Sequence, residues 1–195
     1  MRERIITAYM ELAYTKGFYN ATVDEMAQRA GLSKRTIYRY FNSKDEIVEA
    51  VVDRFILMFS TEIESIMSAA KPPEVIFSEV IDCFFRAGHS LMSSHVLRDL
   101  NQHYPHLWKK IDELRLRKVQ GFFRVFLNNS DPELVRQLNP NIVTTAVIAS
   151  IQAVLNPEYL LARGLTLHEA GRQLLEFFMH GFLKDEGKER VQGRA

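Results

Sequence analysis

Apolar residues recur at three- and four-residue intervals along almost all of the 195 positions, and no segment alternates with the period of two that a half-buried strand requires. Ile5, Ala8, Tyr9, Leu12 and Ala13 make one such stripe, and Val48, Val51, Val52 and Phe55 make another. This spacing restricts the chain to an all-α fold. Helix-breaking residues at Gly17, Gly31, Pro72-Pro73, Pro105, Asn128-Asn129, Pro140, Pro157 and Gly164 divide it into about nine helices. The first pieces are short and the later ones long. We therefore expect a small helical head over residues 1–45 and a larger helical body over 46–195. Ser43 and Glu46 have capping-box spacing, so the helix starting near Ser43 links the two, while the polar tail from Lys184 to Ala195 is expected to fray.

Composition excludes several classes. Hydrophobic residues at 47% and charged residues at 25% are those of a globular chain with a core of its own. A single cysteine, Cys83, set beside Phe84 and Phe85, rules out an intramolecular disulfide framework and reads as a buried thiol in a reducing compartment. The start of the chain has no apolar signal core. The longest uncharged stretch, Asn141 to Pro157, is too short and too polar to span a bilayer. The expected location is the cytoplasm, with no membrane partner.

Between Thr22 and Lys44 the residues compose two short helices joined by a tight turn. Thr22 with Glu25, and Ser33 ahead of Lys34, have N-cap character, and Gly31 suits the left-handed residue that ends a helix. Ala27 and Ala30 are small enough for a close crossing, and Leu32 and Ile37 can close a miniature core. This is a helix-turn-helix, whose second helix can enter a major groove. The net charge is only +1, yet from Arg29 to Lys44 there are five cations and no acid. Lys and Arg neutralise phosphates, Arg can also grip guanine, and hydroxyls at Ser33, Thr36, Tyr38 and Tyr40 add hydrogen bonds to phosphate or base. The candidate DNA-contacting set is Thr22, Ser33, Lys34, Arg35, Thr36, Tyr38, Arg39, Tyr40 and Lys44. Of Tyr40 and Phe41, which share a face with Ile37, at least one is expected in the core.

The run from Thr22-Val23 through Ala30-Gly31-Leu32-Ser33-Lys34-Arg35-Thr36-Ile37-Tyr38-Arg39-Tyr40-Phe41-Asn42-Ser43-Lys44-Asp45-Glu46 resembles the signature of the TetR/AcrR family of bacterial transcriptional regulators. The similarity covers roughly residues 2 to 50, including Lys16-Gly17-Phe18 at the end of the first helix. It implies that Ser33 to Thr36 face base edges, Tyr38 and Tyr40 the phosphate backbone, and Lys44 a phosphate. Arg35 stands where many members carry a small residue, so a base contact from it is particular to this chain. Only Arg2 and Arg4 lie near the start, and minor-groove reading by an arm is not expected.

Two features of the body admit more than one reading. Ala146, Ala149, Ser150 and Ala153 form a small-residue stripe, and Leu167, Ala170, Gly171, Leu174, Leu175, Phe178 and Phe182 form a longer apolar one. From the pattern alone, core and subunit interface are equally good accounts. The resemblance implies the interface, and with it a homodimer on a palindromic operator. Phe84, Phe85, His89, Met92, His103, Tyr104, Trp108, Phe122, Phe123 and Phe126 could line an apolar pocket or simply pack. The resemblance implies a pocket for a small apolar or amphipathic effector in this region. Histidine spacings match no metal site, no cofactor is expected, and no catalytic motif occurs. The resulting expectation is a homodimeric DNA-binding repressor released by a ligand. The alternatives are a DNA-binding dimer that senses nothing and a helical enzyme with an incidental basic patch.

Overall fold

The computed structural model describes residues 1–91, 93–129 and 136–184. These form ten helices: α1 (Arg2–Asn20), α2 (Val23–Ala30), α3 (Lys34–Tyr38), α4 (Lys44–Met67), α5 (Pro73–Leu91), α6 (Ser94–Gln102), α7 (Pro105–Asn129), α8 (Pro140–Val154), α9 (Pro157–Arg163) and α10 (Leu167–Phe182). The fold is all-α, as the periodicity requires. Two breaks are not marked by a glycine or proline, that between α3 and α4, where Ser43 caps α4, and that between α5 and α6, where Ser93 caps α6 by accepting from the Val96 N–H. The tail beyond Lys184 lies outside the described residues. No described helix is long and apolar enough to cross a membrane.

Local chemistry explains most helix ends. Thr22 and Glu25 complete a reciprocal capping box on α2, and Gly31 ends that helix in the left-handed region at φ 59°. Ser43 caps α4 through the Glu46 N–H, but the Glu46 carboxylate returns to the N–H of Asn42 (2.6 Å) rather than to that of Ser43, so the expected box is shifted by one residue. Asn156 and Thr166 cap α9 and α10. Gly17 departs from helical geometry, with φ 82° and ψ 168°, and kinks α1 before its last turn.

The apolar interior falls into two clusters. One joins the head to the near end of the body, bringing Ile5, Tyr9, Met26, Ile37 and Phe41 together with Val96, Leu97, Leu100, Leu107 and Leu160. The other, built around Phe59, Phe77, Val80, Phe122, Phe126 and Met179, holds the far end of α4 against α5, α7, α8 and α10. The head is thus packed onto α6, not hung from a flexible linker. Cys83 is buried in the second cluster, and burial, aided by Glu62, pushes its thiol up to about 12, where it is protonated and inert.

Candidate functional site

α2 and α3 meet as the residues dictate. Val23, Met26, Ala27, Ala30, Ile37 and Phe41 are buried, which leaves the opposite side of α3 to solvent. Of the aromatic pair in question, Phe41 is the core residue, whereas Tyr40 is 41% and Tyr38 45% exposed. Ser33 caps α3 by accepting from the Thr36 N–H at 3.0 Å, and the two hydroxyls lie 2.8 Å apart. Lys34 pairs with Asp24 at 3.1 Å, tying α3 back to α2, and Arg29 pairs with Glu11 at 2.9 Å. Arg35 and Arg39 are exposed and have no ion-pair partner among the described residues. The chain thus presents two uncommitted guanidinium groups, two phenols and a capped helix start on α3 and the turn that follows it, which is the equipment for phosphate and base contacts.

Arg2 and Arg4 are not a loose arm. The Arg2 guanidinium sits 4.8 Å from the Phe41 ring centroid, and Arg4 packs against Gly31.

Lys44 has a structural partner that the sequence does not announce. Its ammonium donates to the Tyr19 carbonyl at the end of α1 and lies 5.7 Å from the Tyr19 ring centroid. Partial burial holds that ammonium below the ordinary lysine range, with Asp45 and Asp99 opposing the shift. Around it is a polar junction between head and body. The Tyr19 N–H donates to Asp99 Oδ2 on α6 (2.8 Å), the Tyr19 ring stacks on His103 at 4.0 Å, and the Tyr104 hydroxyl donates to Asp45 Oδ1 (3.1 Å). Asp99 is the buried charged residue among those described, and Gly17 is what lets it come so close.

Three of the expected pocket residues are placed elsewhere. His103 and Tyr104 belong to this junction because α6 ends against α1, away from the body interior. Phe126 packs on Phe77 and Phe122 in the second core cluster and is not on a cavity wall. Phe84, Phe85, Trp108, Phe122 and Phe123 do line a cavity of about 150 Å³ between α4, α5, α7, α8 and α10. Met92 and the side chain of His89 lie outside the described residues. Phe55 and Phe59 of α4, Arg115 of α7 and His168 of α10 are also on the wall, and sequence reasoning missed all four.

The apolar stripe of α10 is also placed differently from expectation. Leu167, Gly171, Leu174, Leu175 and Phe178 face the cavity and Ala170 is buried, so their apolar character serves the interior of one chain. The side chain of Phe182 is outside the described residues. Ala146, Ala149 and Ala153 of α8 are exposed, Ser150 is half-buried, and the same surface carries Ile142 at 69% exposure. On the neighbouring α10, Phe177 is 71% exposed.

One titration follows from the head. Glu25 is held down from its ordinary 4.5 to about 2, first by the Lys16 ammonium and then by the Thr22 N–H and hydroxyl. A depressed carboxylate stabilises the fold above its unfolded pKa, and that stability is lost as pH falls through the folded value. We expect the thermal midpoint to decline as pH drops from about 4.5 towards 2, and Glu25→Gln to flatten that decline in a circular-dichroism melt series.

A helix-turn-helix on a helical body with an apolar cavity defines the class: a DNA-binding regulatory protein. Comparison with known proteins agrees. The profile of the family described as bacterial regulatory proteins, tetR family, matches residues 5–51. The chain is 28% identical over 193 residues to the uncharacterized HTH-type transcriptional regulator YvaF of Bacillus subtilis (strain 168), across 95% of this chain and 97% of that protein. Its fold is shared with a transcriptional regulator from Cytophaga hutchinsonii ATCC 33406 (TM-score 0.69, 15% identity, 93% of this chain and 98% of that one). It is shared also with the transcriptional regulator FadR from Bacillus subtilis in complex with stearoyl-CoA (TM-score 0.62, 20% identity, 93% and 99%). Residues 5–51 are thus a head of the kind found in the tetR family of bacterial regulatory proteins, and over its whole length the chain is similar to an HTH-type transcriptional regulator.

Proposed function

We propose that the protein is a homodimeric repressor that grips a palindromic operator through α3 and lets go when an apolar effector enters the cavity of the body. The observation that carries this reading is the course of α4. The helix starts at Lys44 in the head and presents Phe55 and Phe59 to the cavity wall, about 16 and 22 Å further along its axis. A ligand that moves those rings moves the helix on which the head is seated. Ligand and DNA then weaken each other's binding by the same factor, as linkage requires. The FadR fold neighbour is in complex with stearoyl-CoA, whose acyl chain supports an effector with a long apolar part for a cavity in this architecture.

Dimerisation is assigned to the exposed apolar surface of α8 and α10. Ala146, Ala149 and Ala153 permit close helix approach, and Ile142 and Phe177 supply area that a lone chain leaves in water. The head covers residues 1–45 and the pairing and effector body 46–195, with the junction at Tyr19, Asp99 and His103 carrying movement between them.

Two substitutions separate the kinds of DNA contact. Lys44→Ala is expected to weaken binding to every duplex alike and to reduce the salt dependence by about one unit of slope, as one lost phosphate contact does. Arg35→Ala is expected to change sequence preference, with about 1–3 kcal/mol lost at one base position. Titrations of a duplex panel by fluorescence anisotropy over a range of salt read both. Unchanged preference in Arg35→Ala assigns that residue to phosphate or solvent.

A further inference from the structure

The cavity wall is apolar except at two side chains, Arg115 and His168. His168 is on an exposed turn of α10, with its ring 5.2 Å from Phe85. Arg115 is different: its side chain is only 12% exposed, and each of its two terminal nitrogens has an acceptor in the chain. Nη1 donates to the Leu155 carbonyl at 3.0 Å, Nη2 is ion-paired with Asp112, and the guanidinium lies 5.5 Å from the Trp108 ring centroid. That leaves Nε, the buried side-chain nitrogen that has no hydrogen-bond partner among the described residues. A buried N–H without an acceptor is costly and uncommon, so an acceptor brought by a ligand would be bound strongly there.

The charge of the site narrows the acceptor. Asp112 already balances Arg115, and burial works against the charged guanidinium. A ligand carboxylate would add an uncompensated charge to a wall of phenylalanine, leucine and isoleucine, which is unfavourable. A neutral carbonyl adds only the acceptor.

Building on the effector cavity proposed above, we infer that Arg115 Nε is the polar anchor of the effector site, and that the effector is a neutral, largely apolar molecule carrying one carbonyl-type acceptor, such as a ketone, an ester or a thioester. The apolar body lies among Phe55, Phe59, Phe84 and Phe122, and the carbonyl points to the α8–α9 end, where Leu155 and Trp108 flank Arg115.

Trp108 is the single tryptophan of the chain and lines the cavity, so its emission, together with titration calorimetry, reports binding directly. Three probes of one chain length, octane, 2-octanone and octanoate, are titrated into the full-length wild type, Arg115→Met and Arg115→Lys. The lysine variant keeps charge and bulk but has no Nε, and thus serves where the methionine variant fails to fold. The expected result is that 2-octanone binds more tightly than octanoate, and that its preference over octane falls roughly tenfold in either variant, the value of one hydrogen bond to a charged group. An unchanged ketone-to-octane ratio in the variants overturns the anchor and leaves an apolar effector cavity standing. Octanoate binding more tightly than 2-octanone overturns the neutral class. Failure of all three to bind the wild type overturns the effector cavity itself.

Discussion

Gly17→Ala is expected to cost about 3 kcal/mol of stability and to lower the melting temperature by on the order of 10 °C. Two effects add. At φ 82° and ψ 168° the backbone of Gly17 is in a region that is essentially reserved for glycine, where a side chain costs about 1–3 kcal/mol. A Cβ there would also stand 2.2 Å from Asp99 Oδ2 and 3.2 Å from the His95 carbonyl. The Asp99 carboxylate must therefore move, and its bond from the Tyr19 N–H is lost while the group remains buried. The melt is read by circular dichroism, and the same protein is tested for DNA binding at a temperature where it is folded. A loss below about 1 kcal/mol would mean that the junction yields easily and does not fix the head to α6.

Ala149→Glu has the largest expected effect on function. Ala149 is exposed in the single chain, so the substitution leaves the protomer folded, with unchanged helix content. In a two-fold pair it buries two carboxylates in an apolar contact with no cation provided, at a cost of several kcal/mol. Sedimentation velocity at micromolar concentration is expected to show a monomer. Operator affinity should drop more than about a hundredfold, because binding of the second head is no longer intramolecular. A dimer that survives the substitution would place the pairing surface elsewhere.

These two residues also show where the sequence is informative and where it falls silent. The head is legible because its determinants are local. Thr22, Gly31 and Ser33 act on helices that start or end at those positions, and Ile37 and Phe41 fill a core made by their immediate neighbours. Gly17 is legible only as a stop signal, since its actual constraint is an aspartate more than eighty positions away. The same holds for the body. Periodicity shows that a face of α10 is buried but not against what, and here most of that face closes a cavity inside one chain. His103 and Trp108, five positions apart, part company because Pro105 ends one helix and begins another: one stacks on the head, the other lines the cavity. Arg115 sits in a charged stretch that reads as solvated surface. Only the packing of Leu155 and Asp112 against it makes it a buried polar group.

The head and the cavity lie along one helix, so α4 is the element that would transmit occupancy into DNA affinity. The pairing surface then decides how the DNA is read. Two heads related by a two-fold axis fall on successive turns of one face of the duplex, and a half-site bound by one must reappear inverted for the other. Selection of a random duplex pool on the purified full-length protein at near-physiological salt, followed by sequencing of the retained DNA, tests this most directly. Enrichment of an inverted repeat is expected, with half-site centres about one helical turn, or a multiple of it, apart. Retention of DNA with no consensus would contradict it, leaving the basic face of α3 as a non-specific phosphate contact.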